Sequence, residues 1–118
     1  MQTTHHHEGG LRFRIALVLA LCVVGALAPA LRADEAEDAY RDARRQLNEA
    51  SYAKAVAAFA ELRERFPESR FAAEALYWEA FSRSRRAAGD DLPRALELLA
   101  DLEADFPRAE RLADAREL

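Results

Sequence analysis

Beyond residue 34 the apolar side chains of this chain fall at intervals of three and four. Tyr40, Ala43 and Leu47 form one series, and Tyr52, Val56, Phe59, Leu62 and Phe66 a second. Phe71, Ala75, Trp78 and Phe81 form a third, and Leu92, Leu96, Leu99, Leu102 and Phe106 a fourth. Such spacing gathers the apolar groups on one side of an α-helix and leaves the charged residues between them on the other. It predicts helices over roughly 36–49, 52–66, 70–88 and 92–106, with another beginning after residue 108.

The residues between the series act as stops and starts. Pro67 and Pro107 lack an amide donor and push the preceding phenylalanine away from helical angles, so a helix ends at each. Ser51 and Asp91 stand where a side-chain oxygen can cap the next helix, and Pro93 falls in a first turn whose amides are free in any case. Gly89 can take the left-handed conformation that closes a helix. The joints at 49–51 and 89–91 are short, and short joints make neighbouring helices antiparallel.

A repeat underlies this alternation. Tyr52 to Pro67 (YAKAVAAFAELRERFP) aligns without gaps on Leu92 to Pro107 (LPRALELLADLEADFP) at an offset of 40 residues. Both copies end in Phe-Pro and both carry an alanine, Ala55 or Ala95, on the apolar side, where a small residue lets another helix approach closely. Leu112-Ala113-Asp114-Ala115 stands where Ala72-Ala73-Glu74-Ala75 stands one unit earlier. The expected architecture is therefore all-α, with antiparallel helical hairpins stacked as a short α-solenoid. Repeat 1 covers about 36–67, repeat 2 about 68–107 and a partial repeat 3 about 108–118. About three repeats are usually needed for such a stack to stand alone, so the expectation includes a continuation of the chain, or a partner or second copy covering the open end.

The first thirty-three residues obey a different rule. Arg12 and Arg14 precede an apolar or small run of 17 residues from Ile15 to Leu31, and small-x-small triplets end at Ala30 and Ala33. This is the composition of a secretory signal helix over 1–33, with cleavage expected after Ala33. The alternative is an inner-membrane anchor through residues 15–31, which is short of the ~20 residues that span a bilayer. Cys22 lacks the small residue expected before a lipid-modified cysteine, since Leu21 precedes it. His5, His6 and His7 lie ahead of the signal and leave with it.

Charge and missing residue types then narrow the function. From Asp34 onward fourteen Arg and Lys face twenty Asp and Glu, a net charge of −6 that makes nucleic acid a poor partner. The same stretch has neither cysteine nor histidine, which removes thiol nucleophiles, Ser-His-Asp triads and the usual zinc sets. The remaining carboxylates are those of a solvated helical surface. The reading is a non-enzyme with no catalytic residues, no cofactor and no metal.

Ala43, Ser51-Tyr52, Ala55 and Pro67 together resemble the tetratricopeptide repeat. Phe66-Pro67-Glu68-Ser69 followed by Ala75-Leu76-Tyr77-Trp78 is similar to the bacterial envelope subgroup containing YbgF/CpoB and BamD. The resemblance implies an exported, periplasmic scaffold of the cell envelope that holds a protein or peptide partner on a concave face lined by first helices. The matching positions here are Tyr40, Arg44, Leu47, Tyr77 and Phe81, where aromatic groups beside arginines offer apolar area and a grip for carboxylates. Trp78 and Phe71 read as core, and Arg83, Arg85 and Arg86 as cations offsetting a helix dipole. Two other functions stay open: a self-associating N-terminal module of a longer repeat protein, and a substrate-recruiting segment of a larger enzyme.

Overall fold

The computed structural model describes the backbone from His7 onward and the side chains from Ala28 onward. The expected signal segment, with its histidines, Arg12, Arg14, Cys22 and nearly all of its apolar run, lies outside the described side chains. Among the described residues no helix is long and apolar enough to cross a membrane. The chain divides into two units, one up to Ala33 and one from Asp34 to Leu118.

The second unit holds the end of α1 (His7–Asn48), then α2 (Tyr52–Arg65), α3 (Ala72–Arg86), α4 (Asp91–Asp105) and α5 (Leu112–Glu117), with no strand among the described residues. Neighbours in sequence are neighbours in space: α2 packs on α3, α3 on α4, and α5 on α4. One apolar cluster joins α1, α2 and α3 through Ala43, Leu47, Ala55, Phe59, Leu62 and Ala75. A second joins α3, α4 and α5 through Leu76, Tyr77, Ala80, Ala95, Leu98, Leu102 and Ala115. Ala43, Ala55, Ala75 and Ala80 are all fully buried, so small side chains sit where helices meet most closely.

The 40-residue repeat is visible in the backbone itself. Phe66 closes α2 at φ −131° and ψ 60°, and Phe106 closes α4 at φ −129° and ψ 62°. Each donates its amide to the carbonyl four residues back, Leu62 or Leu102, at 2.9 Å. The next turns match bond for bond: Ser69, Ala72 and Ala75 donate to Phe66, Ser69 and Phe71, as Ala109, Leu112 and Ala115 donate to Phe106, Ala109 and Arg111. The donors and acceptors are main-chain groups, and the Phe-Pro pair common to both copies ends the helix at the start of each turn.

Several local expectations change. Ser51 holds the capping position of α2 without a side-chain bond; its carbonyl, accepting from Ala55 at 2.8 Å, begins the helix. In α4 the capping position falls to Asp90, and Asp91 enters the first turn as a fully buried residue. The predicted face of α4 is rotated as well. Ala95, Leu98 and Leu102 are buried with Asp91, whereas Leu92 and Leu96 are 54% and 69% exposed. Two overlapping apolar stripes exist on this helix, and the one in helical register with Asp91 turns inward.

The turn after α1 is closed by Ala50 at φ +56°, with Ser51 donating to Gln46 and Ala50 to Leu47, both at 2.9 Å. This is a left-handed helix end of the kind glycine usually occupies, and an L-residue there costs about 1 kcal/mol. Ala50→Gly is expected to raise stability by about 0.5–1 kcal/mol, read as an increase of several degrees in Tm. A fall in Tm would mean that the gain in backbone freedom of the unfolded chain outweighs the relief of strain.

Candidate binding face

Trp78, the sole tryptophan of the chain, is half-buried on α3. It shares a side of that helix with Glu74 one turn before it and Phe81 one turn after. Its indole Nε1 donates to Glu74 Oε2 at 2.9 Å, which fixes the ring plane. Phe81 meets the indole edge to face at 5.6 Å between centroids. From α1, Arg44 lays its guanidinium 4.0 Å from the centre of the same ring, and Arg111, just ahead of α5, approaches it at 4.9 Å. Three helical segments distant in sequence thus converge on one indole, held by cation–π attraction as well as by contact area.

Glu74 organises the surroundings. Besides Trp78 it accepts from Arg111 Nε at 3.1 Å and from the Tyr40 hydroxyl at 3.4 Å. Tyr40 stacks on Phe71 with centroids 4.5 Å apart and meets Phe59 edge to face. Burial, reinforced by the Glu74 charge, raises the Tyr40 pKa above the usual phenol value, so the hydroxyl stays a donor. Arginines cover further rings: Arg70 lies 4.7 Å from Phe71 and Arg85 5.0 Å from Phe81.

Arg44 and Arg85 differ from the other arginines of this face. Arg70 is paired with Glu37, and Arg111 with Glu74 and Asp114. Neither Arg44 nor Arg85 has an ion-pair partner among the described residues, and Arg44 Nη1 is buried without a hydrogen-bond acceptor. A guanidinium donor shielded from solvent is costly unless something supplies the missing acceptor.

Of the five residues chosen from the sequence, Tyr40, Arg44 and Phe81 lie together around Trp78. Tyr77 also meets the indole, edge to face at 4.8 Å between centroids, with Arg111 5.5 Å from its ring, but at 7% exposure it is buried in the α3–α4–α5 cluster; Leu47, 8% exposed, is buried in the α1–α2–α3 cluster. Burial likewise raises the Tyr77 pKa. Trp78, Glu74 and Arg111 complete the face and were not singled out as binding residues. A signal existed for the first two, since Glu74, Trp78 and Phe81 recur at the four- and three-residue spacing of one helix side. Arg111 gave none, because it reaches the face from 33 positions further along the chain.

The buried carboxylates serve a different purpose. Glu79 accepts from Arg63 of α2 at 2.8 Å and from Arg83 at 3.1 Å, while Arg83 also reaches Asp91 of α4 at 3.1 Å. Arg86 binds both Asp91 oxygens at 2.6 Å, and the Ala88 amide donates to the same carboxylate at 3.0 Å. A bracket therefore runs Arg63–Glu79–Arg83–Asp91–Arg86 across three helices. Arg83 and Arg86, read from sequence as cations offsetting a helix dipole, spend their donors on this bracket. No group of three or more His, Cys, Asp or Glu among the described residues is placed to hold a metal ion.

The Arg86 hydrogen bonds, aided by the Ala88 amide, hold the Asp91 carboxyl well below the usual carboxylate range despite its burial. A depressed folded-state pKa contributes stability that is complete above the unfolded value near 3.9 and is lost as pH falls through the folded one. Asp91→Asn is therefore expected to lower Tm at pH 7 and to approach the wild type progressively below about pH 4. A constant difference between the two Tm profiles from pH 7 to pH 2 would contradict that assignment.

Compared with family models, with curated proteins and with solved structures, the chain matches none of them.

Proposed function

We propose that the chain is a non-catalytic interaction scaffold of the tetratricopeptide type, acting in the bacterial envelope and holding a peptide segment of a partner protein across the Trp78 face. The observation that carries this reading is Arg44: a guanidinium laid over an indole, with a buried donor lacking an acceptor, beside a second unpaired arginine at Arg85. A ligand bringing a carboxylate and an apolar side chain would satisfy the donors and cover the rings, the combination found at binding hot spots. The secretory composition of residues 1–33 supports export to the periplasm, and the absence of cysteine and histidine from the helical unit supports a role without catalysis.

Capture from a periplasmic extract tests the proposal. Immobilised wild-type chain is expected to retain a discrete partner that an Arg44→Ala, Trp78→Ala double variant does not. Equal retention by both would place the partner elsewhere on the molecule.

A further inference from the structure

On α4, the inward turn of Ala95, Leu98 and Leu102 leaves an apolar row on the outside. Leu92, Leu96, Ala100 and Ala104 succeed one another at four-residue steps and all are exposed, the two leucines at 54% and 69%. In the first repeat the position matching Leu96 is Val56, which is 5% exposed, so the same register is covered there and open here. Alongside runs a second exposed row at the same step, Glu97, Asp101 and Asp105. Only Glu97 is paired, with Arg94 of its own helix at 2.7 Å; Asp101 and Asp105 have no ion-pair partner among the described residues. The matching row in α2 is Ala57, Glu61 and Arg65, of mixed charge, so the acidic row is particular to α4.

From these two parallel rows we infer that the outer face of α4 docks an amphipathic helix of another protein, one bearing a stripe of large apolar residues beside a stripe of lysine or arginine. The geometry is that of helix-on-helix recognition, in which residues four apart form a ridge. Leucines at one end of the ridge and alanines at the other let the visiting helix anchor beside Leu92 and Leu96 and approach the backbone closely at Ala100 and Ala104. Charge selects the occupant. A second copy of this chain would bring its own acidic row against the first, a like-charge arrangement that disfavours association, whereas a basic flank neutralises Asp101 and Asp105. The surface lies on α4, apart from the Trp78 face of α1 and α3, and does not depend on the function proposed for that face.

The test uses the full chain and a fluorescently labelled, alanine-based helical peptide of roughly 18 residues with leucine at every fourth position and lysine in the adjoining row. A control peptide carries glutamate in place of lysine. Anisotropy is expected to give a Kd of roughly 10–100 μM for the lysine peptide and binding at least tenfold weaker for the glutamate peptide. Raising the salt from about 0.05 M to 0.5 M should weaken the lysine complex several-fold. Leu96→Ser and the Asp101→Lys, Asp105→Lys pair should each weaken it at least fivefold without changing helicity, since these side chains are exposed, and Arg44→Ala should leave it unchanged. Equal affinity for both peptides, or an unaltered Kd in Leu96→Ser, overturns the inference. So does light scattering that shows a dimer dissociated by Leu96→Ser, for that would make the second copy the occupant.

Discussion

Removing the carboxylate of Glu79 is expected to be the most damaging single change among the ion pairs of the helical unit. Glu79 is 1% exposed and holds Arg63 and Arg83, whose side chains are 24% and 16% exposed. Glu79→Ala strands two guanidinium groups in positions from which water can only partly reach them, and it opens the link between α2 and α3. Loss of one partner from a buried pair costs about 3–5 kcal/mol, and the partial solvent access of both arginines places this case near 3 kcal/mol. For a unit of this size that is a fall of roughly 12–24 °C in Tm. Glu79→Gln keeps the shape and part of the hydrogen bonding, so its loss should be smaller, about 1–2 kcal/mol. As a contrast, Glu97→Ala breaks only an exposed pair on one helix face and is expected to change stability by less than about 0.5 kcal/mol. Thermal unfolding monitored by circular dichroism measures all three. If Glu79→Ala melts within a few degrees of the wild type, the bracket is not what ties α2, α3 and α4 together.

The second large effect concerns binding rather than folding. Trp78 is half-buried and packs against both apolar clusters, with the half-buried Arg44 over its ring, whereas Leu47 and Tyr77 are inside the clusters. Arg44→Ala is expected to leave the helices intact, because its buried Nη1 makes no hydrogen bond that would be lost. It should nevertheless weaken capture of a carboxylate-bearing peptide by about thirtyfold or more, the range of a desolvated arginine hot spot. Trp78→Phe keeps an aromatic ring but removes the donor to Glu74 and part of the platform, and about a tenfold loss is expected. Tyr77→Ala should instead lower the melting temperature, since it removes a large side chain from the α3–α4–α5 cluster. Isothermal titration with a selected peptide, alongside melting curves, separates the two classes.

Why the sequence disclosed some of this and not the rest depends on the kind of interaction involved. The ends of α2 and α4 were legible because Phe66-Pro67 and Phe106-Pro107 act through main-chain geometry, which depends on the local residues. Ala55 and Ala95 were legible as contact points because size at a helix interface is a property of one position. The inward face of α4 was ambiguous: Leu102 suits either stripe, while Leu92 and Leu96 compete with Leu98, and the buried stripe is the one that carries Asp91 to Arg83 and Arg86. Asp91 itself read as a cap because an acidic pair before a helix ordinarily is one. Arg111 joins the candidate face through its contact with Glu74, 37 positions away, which no periodicity reports. Leu47 and Tyr77 share helices with Arg44 and Trp78 but are buried in the two apolar clusters, and how far each side chain is covered is a distinction that only packing makes.

The uniqueness of Trp78 allows the central claim to be tested at the site itself. Peptides selected from a random library on the immobilised chain are titrated into it while the tryptophan emission is recorded. A ligand that pairs with Arg44 and covers the indole is predicted to shift the emission to shorter wavelength and to protect it from iodide quenching, with both changes absent in Arg44→Ala at the same peptide concentration. Saturable binding that leaves the emission and the quenching of Trp78 unaltered would contradict the assignment of this face.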